Sequence, residues 1–238
     1  MDPGDETATL SREEAQHLTR VLRLGVGDTV AVFDGRGHEF LARVASAAGR
    51  EVRVQLVSRV EAAAESAVAL TLAQAVLKGD KMDDVIRDAV MLGVSAIQPI
   101  VTKRTEVTVA ALMKGTRMER WRRIALASVK QSRRAFMPDI RMPLTFEILL
   151  DEPPSALRLL LVEPTASAEV EHVSALLNAP APGDATVFVG PEGGWTEPEW
   201  SAASARGVRL MTLGPRTLRA DAVPVAAISV LQFIWGEL

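Results

Sequence analysis

Two glycine-containing loops near the C-terminus carry the residue types best suited to holding a small molecule. Residues 190–194 read Gly-Pro-Glu-Gly-Gly after the apolar run 186–189, and residues 214–219 read Gly-Pro-Arg-Thr-Leu-Arg after the run 208–213. Glycine lets backbone N–H and C=O groups approach a ligand closely. Open α/β sheets bind small molecules at loops that follow the carboxyl ends of strands. The pair therefore predicts a ligand site built from two consecutive strand–loop–helix units.

The two loops lack the common phosphate-binding signatures. No Lys-Ser or Lys-Thr follows residues 190–194, so this loop is not a P-loop, and its glycine spacing differs from the G-x-G-x-x-G of dinucleotide folds. A single Gly/Pro loop is also an ordinary turn. The occurrence of two such loops in succession favours a binding site.

The two loops resemble those of the ribosomal small-subunit uridine-N3 methyltransferases, the RsmE family of the SPOUT superfamily. Weaker similarities around residues 17–28, 78–94 and 131–140 extend the resemblance over nearly the whole chain. It implies a small N-terminal PUA-like β-barrel domain that binds RNA, over residues 1–62. It also implies a C-terminal SPOUT α/β methyltransferase domain with a deep trefoil knot, over residues 67–238. Topology rules alone would not predict a knot.

The resemblance implies S-adenosylmethionine-dependent methylation of N3 of a uridine in 16S ribosomal RNA. Because uracil N3–H is a weak acid, the enzyme must assist proton loss or stabilise the developing anion. Arg219 is the predicted catalytic residue, since its guanidinium stays protonated; the alternative is a salt bridge to Asp221. The resemblance carries these cofactor-binding positions over to this chain: Glu163, Gly190, Glu192, Gly193, Leu213, Gly214, Leu218 and Arg219.

Two of these cofactor-binding positions have a specific expectation attached. We expect a valine at Gly193 to fill the space where backbone approaches the ligand. Glu192 has an alternative to cofactor binding: its negative charge could instead stabilise the N-terminus of the following helix.

The charge distribution favours a polyanionic partner. The net charge of the chain is −3, but residues 103–141 contain eleven basic and three acidic residues, which leaves +8 there and −11 elsewhere. Clustered charge of one sign is typical of nucleic-acid binding, whereas a solvated face usually mixes the signs. With the resemblance, this predicts RNA contacts at Arg20, Arg23, Arg104, Arg133 and Arg134.

The N-terminal residues predict a helix followed by three strands. Ser11 can cap the helix with Glu14 as capping-box partner, and its apolar stripe is Leu18, Val21 and Leu22. Strands are expected at 29–33, 39–44 and 51–57, with a hairpin loop at 34–37. The family's opening strand looks missing or replaced, because residues 1–6 contain no aromatic residue.

The remainder predicts parallel β-α-β units. Strands at 68–76 and 96–101 flank a helix capped by Asp80, and a basic helix follows. Thr196 and Glu199 form a second capping box. Residues 225–235 are apolar on nearly every side, which indicates a helix buried against the knot and a second subunit in a homodimer. The alternative is that this helix completes the core of its own domain.

Composition bounds the remaining possibilities. The chain has no cysteine, and its three histidines lack ligand spacing, so we expect neither disulfides nor a metal. The absence of an apolar run of about 18 residues and the acidic N-terminus predict no membrane span or signal peptide, hence a cytoplasmic protein. The alternatives are a non-catalytic RNA-binding or ribosome-assembly protein of this fold, a SPOUT methyltransferase with another RNA target, and a different α/β enzyme that binds ATP or NAD.

Overall fold

The computed structural model describes residues 7–48, 51–164 and 169–237, which form two compact units. The first unit contains the described residues through Glu65 together with Arg133–Met137. The second contains Ser66–Ser132 and the residues from Pro138 onward. The sequence did not predict that Arg133–Met137, from the middle of the chain, belong to the first unit.

The first unit is a four-stranded antiparallel sheet with strand order β1-β4-β3-β2. The predicted strands are confirmed, and β3 and β4 are longer than expected. Alternate side chains of these strands are buried in a small apolar core with Ala15 and Leu18. The bounds are β1 (Thr7–Thr9), α1 (Arg12–Gln16), β2 (Thr29–Phe33), β3 (Glu39–Ala48) and β4 (Glu51–Val60).

Strand β1 supplies the opening strand that the sequence appeared to lack. Its residues pair antiparallel with β4, Thr7 opposite Gln55 and Thr9 opposite Arg53. The strand is short and contains no aromatic residue, so the family's opening strand is replaced rather than missing. Residues 1–6, where the prediction looked for it, lie outside the described residues.

The predicted apolar stripe of the first helix is wrong in its second half. Ser11 Oγ accepts from the backbone N–H of Glu14 at 3.3 Å, which confirms the cap. The chain then widens into a π-helical turn, in which Leu22 N donates to His17 O at 3.0 Å. A π turn breaks the 3.6-residue period. Leu18 is therefore buried, while Val21 is 66% and Leu22 51% exposed.

Arg134 is a structural residue of the first unit. Its side chain is only 6% exposed, and its guanidinium donates to both carboxylate oxygens of Glu65, with Nε at 3.0 Å from Oε1. Backbone bonds between Ala135 and Gly37, and between Met137 and Gly35, fix the same segment. A buried, paired guanidinium is not presented to a polyanion, so the prediction of Arg134 as an RNA contact is corrected.

The second unit is an α/β fold built on a parallel sheet, as predicted. The strand order is β10-β12-β9-β11-β5-β6-β7, with β8 beside β6, and the recorded pairings are all parallel. The bounds are β5 (Ala69–Ala75), β6 (Ala96–Val101), β7 (Asp139–Ile140), β8 (Leu144–Thr145), β9 (Leu157–Leu161), β10 (Glu171–His172), β11 (Asp184–Val189) and β12 (Arg209–Thr212).

The helices of the second unit follow the predicted apolar patterns, but the predicted cap of α2 is wrong, because Asp80 occupies the N-cap position and its side chain makes no capping hydrogen bond. The expected apolar face of α2 is buried, and the Thr196–Glu199 capping box begins α6. The outward arginines of α4, Arg117, Arg120 and Arg123, are exposed. The bounds are α2 (Lys81–Met91), α3 (Val109–Lys114), α4 (Arg117–Gln131), α5 (Phe146–Asp151), α6 (Glu197–Ala205) and α7 (Ala222–Trp235), with a 3₁₀ turn at Val173–Leu176.

Strand β11 positions the first glycine loop from inside the core. It lies between β9 and β5, and Val187, Phe188 and Val189 are buried. The ring of Phe146 meets Phe188 edge-on at 5.8 Å and lies 4.7 Å from Trp195. This aromatic contact connects the core to the loop that follows β11.

Candidate functional site

A cleft lies where β9, β11 and β12 end, at the start of α7. The three strands are neighbours in the parallel sheet, so their carboxyl ends lie at the same edge. Ligands of open α/β sheets bind at this edge. Its empty volume, open mouth included, is about 610 Å³. Its walls are residues 161–164, 189–192, 194–195, 212–213, 216–218, 220 and 223.

Five of the eight predicted cofactor positions line this cleft: Glu163, Gly190, Glu192, Leu213 and Leu218. The other three, Gly193, Gly214 and Arg219, lie beside lining residues in the same loops. The sequence reasoning missed several wall residues, among them Trp195, Thr212 and Arg216. The signal available for these was proximity, since each lies in or next to one of the two glycine loops.

Gly190 makes room for the indole of Trp195. Trp195 Nε1 donates to the carbonyl of Leu161 at 2.9 Å and so ties the first loop to the end of β9. A Cβ atom at Gly190 would lie 3.0 Å from that nitrogen and 3.2 Å from Cε2. Glycine at 190 therefore serves the packing of a wall residue.

Gly193 approaches Arg104, a neighbour that the sequence did not predict, and the expectation that a valine there fills cofactor space stays a prediction. A Cβ atom at Gly193 would lie 3.1 Å from Cδ and 3.2 Å from Cβ of Arg104. Arg104, in the loop after β6, also donates a guanidinium N–H to the Gly193 carbonyl. A substitution at 193 would therefore displace Arg104.

Gly194 and Gly214 are required by their backbone conformation. Their φ angles are +68° and +150°, in the region that favours glycine. A Cβ at Gly194 would also lie 3.1 Å from Oε1 of Glu163, which places that carboxylate against the first loop. Thr212 Oγ1 donates to the Gly214 carbonyl at 3.1 Å and fixes the start of the second loop.

Glu192 is held by the loop after β5, and its alternative role at the following helix is wrong. Its Oε1 accepts from the backbone N–H of Lys78 at 3.1 Å and from Lys81 Nζ at 2.9 Å. Burial would raise the pKa of the Glu192 carboxyl, but these donors and its own backbone N–H lower it. The N-terminus of α6 is instead satisfied by Glu199, whose Oε2 accepts from Thr196 N at 2.8 Å.

Arg219 forms the salt bridge that the sequence offered as an alternative. Its Nε lies 3.2 Å from Oδ1 of Asp221, which occupies the N-cap position of α7. The Arg219 side chain is 75% exposed, and its neighbours Leu218 and Ala220 line the cleft. A pairing this exposed is worth little energetically, so it leaves the guanidinium able to engage a substrate.

The predicted RNA contacts divide by exposure. Arg20, Arg23, Arg104 and Arg133 are exposed, unlike Arg134. Arg120, on the outward face of α4, pairs with Asp83 and Asp80 of the same unit.

The described residues contain no cluster of three or more acidic or histidine side chains that could hold a metal ion. No described helix is both long and apolar enough to cross a membrane.

Comparison with known proteins defines the class to which this fold and cleft belong. The family model of an RNA methyltransferase domain matches residues 64–232, and that of an RNA methyltransferase PUA domain matches residues 10–57. The predicted class, an RNA methyltransferase with a PUA-like N-terminal domain, is confirmed.

Individual relatives narrow the class further. The chain is 35% identical to the Ribosomal RNA small subunit methyltransferase E of Synechocystis, over 96% of this chain and 73% of the relative. It is also similar to the structure of Ribosomal RNA small subunit methyltransferase E from Neisseria gonorrhoeae bound to S-adenosyl methionine, at 30% identity and a TM-score of 0.85, covering 96% and 92% of the two chains. A putative Legionella pneumophila methyltransferase in complex with the cofactor SAM matches at 31% identity and a TM-score of 0.86, over 98% and 93%. The chain therefore belongs to the ribosomal RNA small subunit methyltransferase E family.

Proposed function

We propose that this protein transfers a methyl group from S-adenosylmethionine to N3 of a uridine in 16S ribosomal RNA, in the cytoplasm. The observation that carries the proposal is the cleft at the ends of β9, β11 and β12, whose walls include both glycine loops. Two similar proteins have structures with S-adenosylmethionine bound. The atom and the RNA follow from family membership.

The cleft residues fit the cofactor. Leucine, valine and tryptophan side chains offer apolar contact for an adenosine and a methionine chain. The carboxylates of Glu163 and Glu192 suit hydroxyl and ammonium donors. When bound, the cofactor supplies an electrophilic methyl group on a sulfonium. The chain's own task is then to align the uracil N3 with that methyl group and to stabilise the base as its proton leaves.

Arg219 is the residue best placed to stabilise the uracil anion. It follows the cleft-lining Leu218, is exposed, and carries a delocalised positive charge. Its contact with Asp221 holds the side chain beside the start of α7. We assign it electrostatic stabilisation of negative charge on the uracil oxygens.

We assign RNA contacts to exposed arginines in each of the two units. Arg20 and Arg23 flank the exposed Val21 and Leu22 in the first unit, and Arg104 and the arginines of α4 are exposed in the second. The +8 charge of residues 103–141 supports phosphate contacts there. Such contacts position an RNA and add little sequence preference.

A homodimer built on α7 completes the proposal. Ala227, Ile228 and Leu231 pack into the unit's own core, and Gln232 donates to the Leu92 carbonyl at 3.2 Å. The opposite side of α7 remains apolar, with Phe233 69% exposed. Exposed apolar surface on a helix whose other side is buried favours an interface, and a two-fold dimer is the commonest closed arrangement. The trefoil knot, implied by the resemblance, stays a prediction.

Titration calorimetry with three ligands tests the cofactor part of the proposal. S-adenosylmethionine should bind with one site per chain, while ATP and NAD should give no saturable heat at the same concentrations. Binding of ATP or NAD in place of S-adenosylmethionine would indicate a different α/β enzyme. No binding of any of the three would favour a non-catalytic RNA-binding protein.

A further inference from the structure

Lys81 is a charged residue of the cleft region to which the proposed chemistry gives no role. It is the first residue of α2, at the end of the loop that follows β5. Its Nζ lies 2.9 Å from Glu192 Oε1, and its side chain is 36% exposed. The contact joins residues 111 positions apart, across the neighbouring strands β5 and β11.

The hydrogen bonds that Lys78 and Lys81 donate to Glu192 go to the same carboxylate oxygen. Both Lys81 Nζ and the Lys78 backbone N–H donate to Oε1. Glu192 itself is a wall residue. A carboxylate held on one oxygen can offer the other, Oε2, to a hydroxyl or ammonium donor in the cleft.

We propose that Lys81 is a positioning residue for cofactor binding: it fixes the orientation and the ionised state of Glu192, which contacts S-adenosylmethionine through Oε2. The proposal rests on the proposed function, because it requires the cofactor to occupy this cleft.

The electrostatic surroundings of Glu192 support this role. Burial would raise the pKa of its carboxyl, and the hydrogen bond from Lys81 is the largest of the contributions that lower it. Burial would also raise the pKa of Asp221, but that pKa is lowered by its own backbone N–H, by Arg219 and, to a smaller extent, by the positive charge of Lys81. The ammonium of Lys81 thus lowers the pKa of two carboxyls, those of Glu192 and Asp221.

Lys78 provides a matched control on the same loop. Its ammonium pairs with Glu106 at 2.5 Å and is only weakly attracted to Glu192, to which its backbone N–H, not its side chain, donates. Lys78→Met removes one positive charge from this loop, as Lys81→Met does, but keeps both hydrogen bonds to Glu192. Neither variant alters Glu163 or Arg104, whereas Lys81→Met also removes the contribution of Lys81 that lowers the Asp221 pKa.

The experiment measures S-adenosylmethionine affinity by calorimetry between pH 8 and pH 5 for the wild type, Lys81→Met, Lys81→Arg and Lys78→Met, with thermal unfolding of each. Loss of one charge-assisted hydrogen bond behind a binding residue should weaken affinity by roughly tenfold in Lys81→Met. Without Lys81, the Glu192 pKa rises, so affinity should also begin to fall at a higher pH on acidification than in the wild type. Lys78→Met should match the wild type, and Lys81→Arg should recover part of the affinity.

The outcomes separate the two proposals. If the wild type does not bind S-adenosylmethionine, the proposed function fails. If the wild type binds but Lys81→Met has the same affinity and the same pH profile, the positioning role is overturned, whatever its melting temperature. A lower affinity in Lys81→Met with an unshifted pH profile, or an equal loss in Lys78→Met, also overturns it.

Discussion

The indole of Trp195 binds the carbonyl of Leu161 at 2.9 Å and covers the backbone of Gly190 so closely that a Cβ atom there would lie 3.0 Å from Nε1. One tryptophan thereby joins the ends of β9 and β11, two of the three strands that end at the cleft. Gly190 and Trp195 act as a pair, and a change in either alters the cleft wall.

Gly190→Ala should weaken S-adenosylmethionine binding while the protein stays folded. The added methyl group would force the indole away from Leu161 and shift the wall that it forms. Calorimetry should show affinity reduced by about tenfold, the equivalent of one hydrogen bond and its packing. Gly183→Ala is the control, because a Cβ there meets nothing within 4 Å. Equal affinities for the two variants would show that Trp195 does not form part of the cofactor site.

Arg219→Ala should lower the rate of methyl transfer more than it lowers cofactor affinity. Removal of one preorganised charge that stabilises a developing anion costs about a hundredfold in kcat. The measurement is kcat on 16S ribosomal RNA together with the dissociation constant for S-adenosylmethionine. Arg206→Ala, which removes another exposed arginine with an acidic partner, should keep the wild-type rate. An unchanged kcat in Arg219→Ala would mean that Arg219 has no catalytic role and serves only in the salt bridge to Asp221.

Arg133→Ala should weaken RNA binding and reduce the dependence of the affinity on salt concentration. Arg133 is exposed, and loss of one phosphate contact flattens the slope of log affinity against log salt by about 0.7–0.9. Arg87→Ala, an exposed arginine outside the basic segment, should leave the slope unchanged. If both variants keep the wild-type slope, Arg133 does not contact phosphate.

Arg134→Ala should act on stability instead. Removal of the guanidinium leaves Glu65 without its buried partner, and breaking such a pair costs about 3 kcal/mol. Denaturant unfolding should show this loss in free energy, while Arg133→Ala should unfold like the wild type. A neutral Arg134→Ala would mean that water replaces the pair without cost.

Phe233→Asp should reduce both the dimer fraction and the activity. A charge placed in the centre of an apolar interface lacks a partner there, whereas on a solvated surface it costs little. Light scattering at micromolar concentration should show dissociation. Ile148→Asp, on the exposed side of α5, is the control and should remain dimeric. A wild-type protein that is monomeric at this concentration and fully active would contradict the dimer.

Local patterns in the sequence predicted the features that depend on local chemistry. The buried face of α2, the cap at Ser11 and the capping box at Thr196 follow from periodicity and from hydrogen bonding between near neighbours. The two glycine loops were predicted as a site because parallel strands bring their carboxyl ends to one edge of a sheet. The structure places five of the eight predicted positions in the walls of that cleft.

Contacts between distant residues could not be predicted in this way. The partner of Gly193 is Arg104, 89 positions away, and the partner of Arg134 is Glu65, 69 positions away. No periodicity relates such residues, so Gly193 was predicted to face the ligand and Arg134 to face RNA. The π-helical turn at His17–Val21 likewise departs from the 3.6-residue period, so the sequence pattern did not predict that Val21 is exposed.

Nucleoside analysis of methylated 16S ribosomal RNA tests the central claim most directly. The purified protein would be incubated with isotopically labelled S-adenosylmethionine and small ribosomal subunits that lack the modification, and the digested RNA would be analysed by mass spectrometry. The account predicts label in N3-methyluridine, at one site, and dependent on Arg219. Label in a ribose methyl group or in another base, or no label at all from a protein that binds the cofactor, would contradict it.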